Sequence, residues 1–311
     1  IDRCRMAPVE FVVGAAAPAS EHDAPAHRDL NMAIFLALMA ALSYGISDFA
    51  AGLASRKLTA GPVSAAVVVL TLLTAVVSVV LFPGDENPDA HVIWWGAASG
   101  FGSAVGTLAL YHGLSVGRMS VVATLSAVLA AVIPAIVGVA MGDQLTLVVT
   151  IGILIAIPAI ALVSWHPQSD EHGSAGAGVI YGVIAGLGFG LLFIALNQAG
   201  NEAGAWPVIP GQLVALVLVS PFAVRGLRAS PETDRATAGL VLAAGVLSGA
   251  AVLLFLAATD HGELAIIAVL TSLYPAATVV LARIFLAEHW TRLQIAGMCA
   301  SVVAVVLVSV G

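Results

Sequence analysis

Residues 265–294 read AIIAVLTSLYPAATVVLARIFLAEHWTRLQ. Up to Leu286 this run holds a single charge, Arg283. Together with Leu264 it exceeds the about 20 residues that cross a bilayer's hydrocarbon at 1.5 Å rise per residue. Glu288, His289 and Arg292 then interrupt it, and an apolar run resumes to Val310. Two such runs with a short charged stop between them read as a hairpin of membrane helices. Working outward, the same reading covers the chain in ten stretches: 31–53, 62–82, 92–114, 119–141, 145–165, 177–198, 206–224, 237–258, 264–286 and 291–310. Polar residues collect in the separators, among them Arg56-Lys57, Asp85-Glu86-Asn87, Gly117-Arg118, Gly142-Asp143, His166-Pro167, Asn201-Glu202 and the stretch from Asp260 to Glu263. The runs do not alternate polar and apolar residues, which argues against a β-barrel. Helices satisfy their own backbone hydrogen bonds in lipid. The expected fold is therefore all-α, a polytopic membrane protein of ten transmembrane helices.

Composition agrees with that reading. Hydrophobic residues make up 60% and charged residues 9% of the chain, and mean hydropathy is +1.05. Soluble domains carry about 25% charged residues, so this chain lacks the charge for a polar surface of its own size. The net charge is −7 and no Lys/Arg run occurs, which makes nucleic acid an unsuitable partner. Cys4 and Cys299 form neither a disulfide framework nor a metal motif. Residues 1–30 are rich in Ala and Pro with scattered charge, and are expected to be a disordered extension. The apolar run at 11–19 is too short to span and makes a poor signal peptide.

A 145-residue shift lays one half of the chain on the other without a gap. Gly45 falls on Gly190, Pro62-Val63 on Pro207-Val208, Gly100 on Gly245, Ser103 on Ser248, and Asp143 on Glu288. Every span and loop keeps its length to within about three residues. Five spans per half is an odd number, so the second half enters from the opposite side and the repeats are expected to be inverted. The organisation read from this is an extension at 1–30, a first five-helix repeat at 31–165, a linker at 166–176 and a second repeat at 177–311. Small residues recur every fourth position in span six, at Gly178, Gly182, Gly186 and Gly190. Span one carries Ala33, Ala37, Ala41 and Gly45 at the matching places. Such stripes let helices approach closely in lipid; they serve either fixed packing or a moving interface.

The segment 265–294 resembles the end of an EamA-type domain of the drug/metabolite transporter superfamily. The features are a small-apolar helix with Ser272-Leu273-Tyr274-Pro275, the step Ala287-Glu288, and a last apolar helix. In the first half the acidic step is kept as Gly142-Asp143, but Ala130 stands where the proline would fall and Pro134 comes one turn later. Tyr44-Gly45-Ile46-Ser47-Asp48-Phe49 is similar to that family's aromatic-Gly opening. The resemblance covers about residues 31–310. It implies transport of a small metabolite, amino acid or drug, expected as efflux by alternating access, in a multi-pass protein of the cytoplasmic (inner) membrane.

Asp48 is the only acid well inside a span. A carboxylate in lipid costs several kcal/mol unless it is paired, hydrated or protonated. Either it lines a cavity, with His112 at similar depth on span three, and binds a cationic or polar group or carries a coupling proton; or it pairs with Arg118, Arg56 or Lys57 at the interface. Asn197 and Gln212 are cavity ligands or glue between helices. Tyr44 and Tyr274 are pathway walls or packing. Trp94-Trp95, Trp165, Trp206 and Trp290 stand at span ends as interfacial anchors. Pro275 is expected to kink span nine and free a carbonyl one turn earlier.

No cofactor is called for, since no Walker loop, H-E-x-x-H or dinucleotide fingerprint occurs. The G-x-S-x-G match at Gly113 to Gly117 lacks the strand-to-helix context that gives it meaning. Partners are a small-molecule substrate, the lipid bilayer and a proton as coupling ion. The competing classes are an intramembrane lipid-modifying enzyme, which needs a cluster of acids, metal ligands or a nucleophile with its base, and a membrane scaffold, which needs no polar cavity. Arg225, Arg228, Arg235 and Arg292 join Arg56, Lys57 and Arg118 on one face. Loop charge therefore places both termini outside the cytoplasm, whereas the family resemblance implies both inside.

Overall fold

The structure, a computed structural model, describes residues 23–55, 57–82, 84, 88–116, 119–163, 175–200, 203–228, 234–286 and 291–310. All regular structure among them is helical, in the order α1 (Asp23–Ser55), α2 (Ala60–Leu81), α3 (Ala90–Val116), α4 (Met119–Met141), α5 (Leu147–Val163), α6 (Ala175–Ala199), α7 (Val208–Leu227), α8 (Arg235–Thr259), α9 (Leu264–Thr271), α10 (Tyr274–Leu286) and α11 (Arg292–Val310). Five helices are long and apolar enough to cross a membrane: α1, α2, α6, α7 and α8. Shorter apolar helices run through 125–141, 147–163, 264–278 and 292–308. Large apolar side chains face outward along the bundle, Val80, Trp94, Leu147 and Val217 each more than 70% exposed. Water would penalise such a surface and lipid would not.

Two boundaries differ from the sequence reading. The first helix begins at Asp23, so residues 23–30 of the expected disordered extension are helical. Pro25 is tolerated there because the first turn's N–H groups have no intrahelical partner to lose. The second difference is in the opening stretch. Span nine is two helices, stopped at Thr271 and restarted at Tyr274. Pro275 has no N–H for the carbonyl four residues back. The chain there tightens to three-residue spacing, with Leu273 N donating to Leu270 O at 3.1 Å and Ala276 N to Leu273 O at 2.9 Å. Residues 264–273 are all buried, so the break lies inside the bundle. Arg56, Gly117-Arg118, Asp85-Glu86-Asn87, Ala287-Glu288, Trp165, Trp290 and most of the linker lie outside the described residues.

Small residues set the packing. The core is largely alanine, with Ala33, Ala37 and Ala40 of α1 and Ala265 and Ala268 of α9 fully buried. The glycine stripe of α6 seats α4: a Cβ at Gly182 would lie 3.0 Å from Leu125 Cβ, and one at Gly186 would lie 2.5 Å from Leu129 Cβ. The helix contacts come in matched sets. α3 packs on α6 as α1 packs on α8; α4 on α6 as α9 and α10 on α1; α3 on α7 as α2 on α8. α2 meets α7, and α5 meets α11. Exchanging each helix for its counterpart in the other half of the chain leaves these pairings unchanged.

Polar contacts join the halves at both ends of the bundle. At one end, Asp234 accepts from Thr237 N at 2.8 Å and caps α8, while Lys57 Nζ meets its other oxygen at 2.7 Å. Asp89, the counterpart of Asp234 in the first half, accepts from Val92 N in the same way before α3. At the opposite end, Asp143 accepts from Ala265 N in the first turn of α9 at 2.9 Å. Glu263 in return accepts from Gln144 N at 2.6 Å. Partial burial raises the Glu263 carboxyl above its ordinary value, and Asp143 beside it adds to the rise.

Candidate functional site

Tyr44, Ser47, Asp48 and Ala51 fall at i, i+3, i+4 and i+7 of α1, so they share one face. That face lines a cavity of ≈ 120 Å³ in the middle of the bundle. The same spacing recurs on α2 with Ser64, Val67, Val68 and Thr71, and part of it on α3 with Ser103, Thr107 and Leu110. From the second half, α6 gives Phe189, Leu192 and Phe193, α7 gives Gln212, and α8 gives Ser248 and Val252. Ala130 of α4 and Tyr274, at the restart after the break, complete the wall.

Asp48 is exposed although it lies about 10 Å of helix rise before the end of α1; the surface it keeps free faces this cavity. Lys57, one of the three cations proposed as its partner, is held by Asp234 instead. Arg56 and Arg118 lie outside the described residues. Ser47 Oγ donates to Ala244 O at 2.8 Å, which ties α1 to α8 beside the carboxylate. Thr71 Oγ1 donates more weakly to Gly245 O at 3.4 Å, tying α2 to the same helix. Tyr44 Oη and Ser64 Oγ are buried and make no protein hydrogen bond among the described residues. Tyr44 and Tyr274 stand with ring centroids 6.4 Å apart and planes tilted by 60°. Phe193 is fixed from behind by stacking on Phe255, with centroids 4.6 Å apart.

Four of the six residues read from sequence as pathway candidates meet here: Tyr44, Asp48, Gln212 and Tyr274. His112 and Asn197 do not line the cavity. His112 follows Leu110 by two residues, about 200° further round α3. It is exposed and packs edge-on against Tyr181, with centroids 4.8 Å apart. Asn197 is one turn beyond Phe193 and half-buried, and its carbonyl accepts from Gly200 N where α6 ends. Sequence reasoning missed the hydroxyls Ser64, Thr71, Ser103, Thr107 and Ser248 and the rings Phe189 and Phe193. The usable signal was helical spacing within each span and the 145-residue shift between spans. Six pairs of lining residues are related by that shift: Tyr44 with Phe189, Ser47 with Leu192, Asp48 with Phe193, Val67 with Gln212, Ser103 with Ser248, and Thr107 with Val252.

The described lining of the cavity offers one carboxylate, several hydroxyls, an amide and four aromatic rings. No group of three or more His, Cys, Asp or Glu side chains is placed to hold a metal ion among the described residues.

Among curated proteins, none matches this chain. A crystal structure 13% identical in sequence superposes with a TM-score of 0.69, covering 89% of this chain and 96% of that one, which speaks for the shared fold. Residues 176–310 match the family model described as "EamA-like transporter family". The second half of the chain thus resembles an EamA-like transporter domain, a family of the drug/metabolite transporter superfamily.

Proposed function

We propose that this protein is a secondary transporter that carries a small solute across the cytoplasmic membrane, in the efflux direction, by alternating access through the central cavity. Its ten spans form two inverted five-helix repeats, with α9 and α10 together as the ninth. The observation that carries this reading is the set of six lining pairs related by the 145-residue shift. A cavity walled by equivalent positions of both halves lies on their common axis, where rocking of one half against the other opens it to either side in turn. Asp48 is the group suited to hold the solute or a coupling proton. The contacts that join the halves at the two ends are the ones such rocking breaks: Lys57 with Asp234 at one, Asp143 and Glu263 with the opposing backbone at the other. The end that carries Lys57, Arg225, Arg228 and Arg235 is placed in the cytoplasm by its charge; the efflux direction rests on the family resemblance alone.

The test is solute exchange in proteoliposomes of the full chain, screened with radiolabelled amino acids, amines and small drugs. At least one compound is expected to exchange faster than in protein-free vesicles, and Asp48→Asn is expected to slow it at least tenfold while still reaching the membrane. Absence of exchange for every class, with correctly inserted protein, refutes the transport reading.

A further inference from the structure

The two walls that face each other across the cavity are equivalent in position and unequal in chemistry. On α1 the residues are Tyr44, Ser47 and Asp48; at the same places on α6 they are Phe189, Leu192 and Phe193. Each position has a side-chain oxygen on the first helix and none on the second. A solute that fits such a chamber has one polar end and one apolar end, and enters it in one orientation.

The sign of the polar end follows from the charges. Among the described lining residues Asp48 is the one formally charged side chain, and Lys, Arg and His are absent. An anion would face a like charge here and meet no counter-charge among the described lining residues. A cation supplies what the carboxylate lacks, and the aromatic rings add favourable quadrupoles around it. Tyr44 lies one turn from Asp48 on α1 and pairs with Tyr274, and Phe193 stacks on Phe255. Size narrows the class further. At ≈ 120 Å³ the chamber holds several times the about 10–15 Å³ that one water requires. It falls short of the about 300 Å³ at which drug-sized pockets begin.

We propose that the cavity selects compact organic monocations with an apolar body, the charge at Asp48 and the body against Phe189, Leu192 and Phe193. This rests on reading the cavity as the transport site and adds the class of solute to it.

The experiment is equilibrium dialysis of the purified full chain in detergent against four radiolabelled compounds of nearly one shape: 2-phenylethylamine, 2-phenylethanol, phenylacetate and phenylalanine. The amine is expected to bind at least tenfold more tightly than the other three. Asp48→Asn should weaken amine binding at least tenfold, and Asp48→Glu should keep a measurable part of it. Phe193→Leu should weaken it several-fold with Asp48 intact, which separates loss of the ring from loss of the fold. Preferential binding of phenylacetate or phenylalanine, amine binding unchanged by Asp48→Asn, or no binding of any of the four overturns the cation assignment. The transport reading is judged separately, by exchange across the whole solute panel; it survives if other solutes exchange, and fails if none does.

Discussion

Helix α4 runs unbroken from Met119 to Met141 with Pro134 inside it. The equivalent stretch of the second half stops at Thr271 and restarts at Tyr274. The two occupy equivalent places in the contact pattern, one against α6 and the other against α1. A proline inside the helix is therefore not enough to break it; Pro275 stands one turn earlier than Pro134 in the matched frame, where the first half has Ala130, and the neighbours differ too. Across from α4, α6 offers Gly190, where an added Cβ would come only to 3.2 Å of the Ile133 side chain. Across from the break, α1 offers Gly45, where a Cβ would lie 2.6 Å from Tyr274 O and 2.5 Å from Ala277 Cβ. Thr278 Oγ1 donates to Gly45 O at 3.0 Å, which binds α1 to the restarted helix. The backbone of α1 thus supports the broken segment directly, and that support sets Tyr274 at the cavity beside Tyr44.

The sharpest way to break this comparison is a methyl group at each of the two glycines. Gly45→Ala is expected to destabilise the protein by about 1–3 kcal/mol, the usual cost of overpacking against atoms that cannot yield. Gly190→Ala should cost less than about 1 kcal/mol, because Ile133 can shift and alanine favours the helix. Thermal unfolding in detergent measures both, and equal shifts would remove the claimed asymmetry. Next in size is Thr278→Val, which deletes the hydroxyl that joins α10 to α1. A loss of about 0.5–1.5 kcal/mol is expected, read in the same way; no loss would show that the glycine contact alone holds the two helices.

The smallest effects concern the two ends of the bundle, where pH should act with opposite signs. Burial first, then Asp143, raises Glu263 above 4.5. Its folded form therefore binds the proton more tightly than the unfolded chain does. Its contribution to stability is full below pH 4.5 and is lost as pH rises through the raised value. Glu263→Gln should flatten that slope. Asp234 is lowered below 3.8, chiefly by the hydrogen bond from Lys57 and then by those from Thr237. Its contribution is present above 3.8 and lost as pH falls through the lowered value. Because the Lys57–Asp234 pair is exposed, added salt should weaken it further. Unfolding midpoints of the unsubstituted protein and of Glu263→Gln and Lys57→Met across pH 2–8 check both slopes; slopes of the same sign at both ends would contradict the assignment.

Much of the helical fold was legible because lipid leaves few options: apolar length and charged stops place helices wherever they occur. The break at Ser272-Leu273 was legible only as a kink at Pro275. Its depth depends on Gly45, which belongs to the other half of the chain. Asp48 announced itself as the lone acid inside a span. The hydroxyls did not, because Ser and Thr are ordinary in membrane helices, where their oxygens bond the preceding turn. Ser64 and Thr71 stand out only once they are counted seven apart on the face that meets Asp48. His112 and Asn197 stand off the cavity wall because rotation about α3 carries the one away and a further turn of α6 carries the other.

The most direct measurement is labelling of cysteines placed at one lining pair, Ser103→Cys and Ser248→Cys, in a background with Cys4 and Cys299 replaced by serine. Both positions lie near the middle of their helices, on opposite halves of the bundle. A membrane-impermeant maleimide added to oriented vesicles is expected to label both cysteines, from either side, and a bound solute should slow both together. Labelling of neither, or of one from a single side only under all conditions, would contradict a central cavity shared by the two halves and opened to each side in turn.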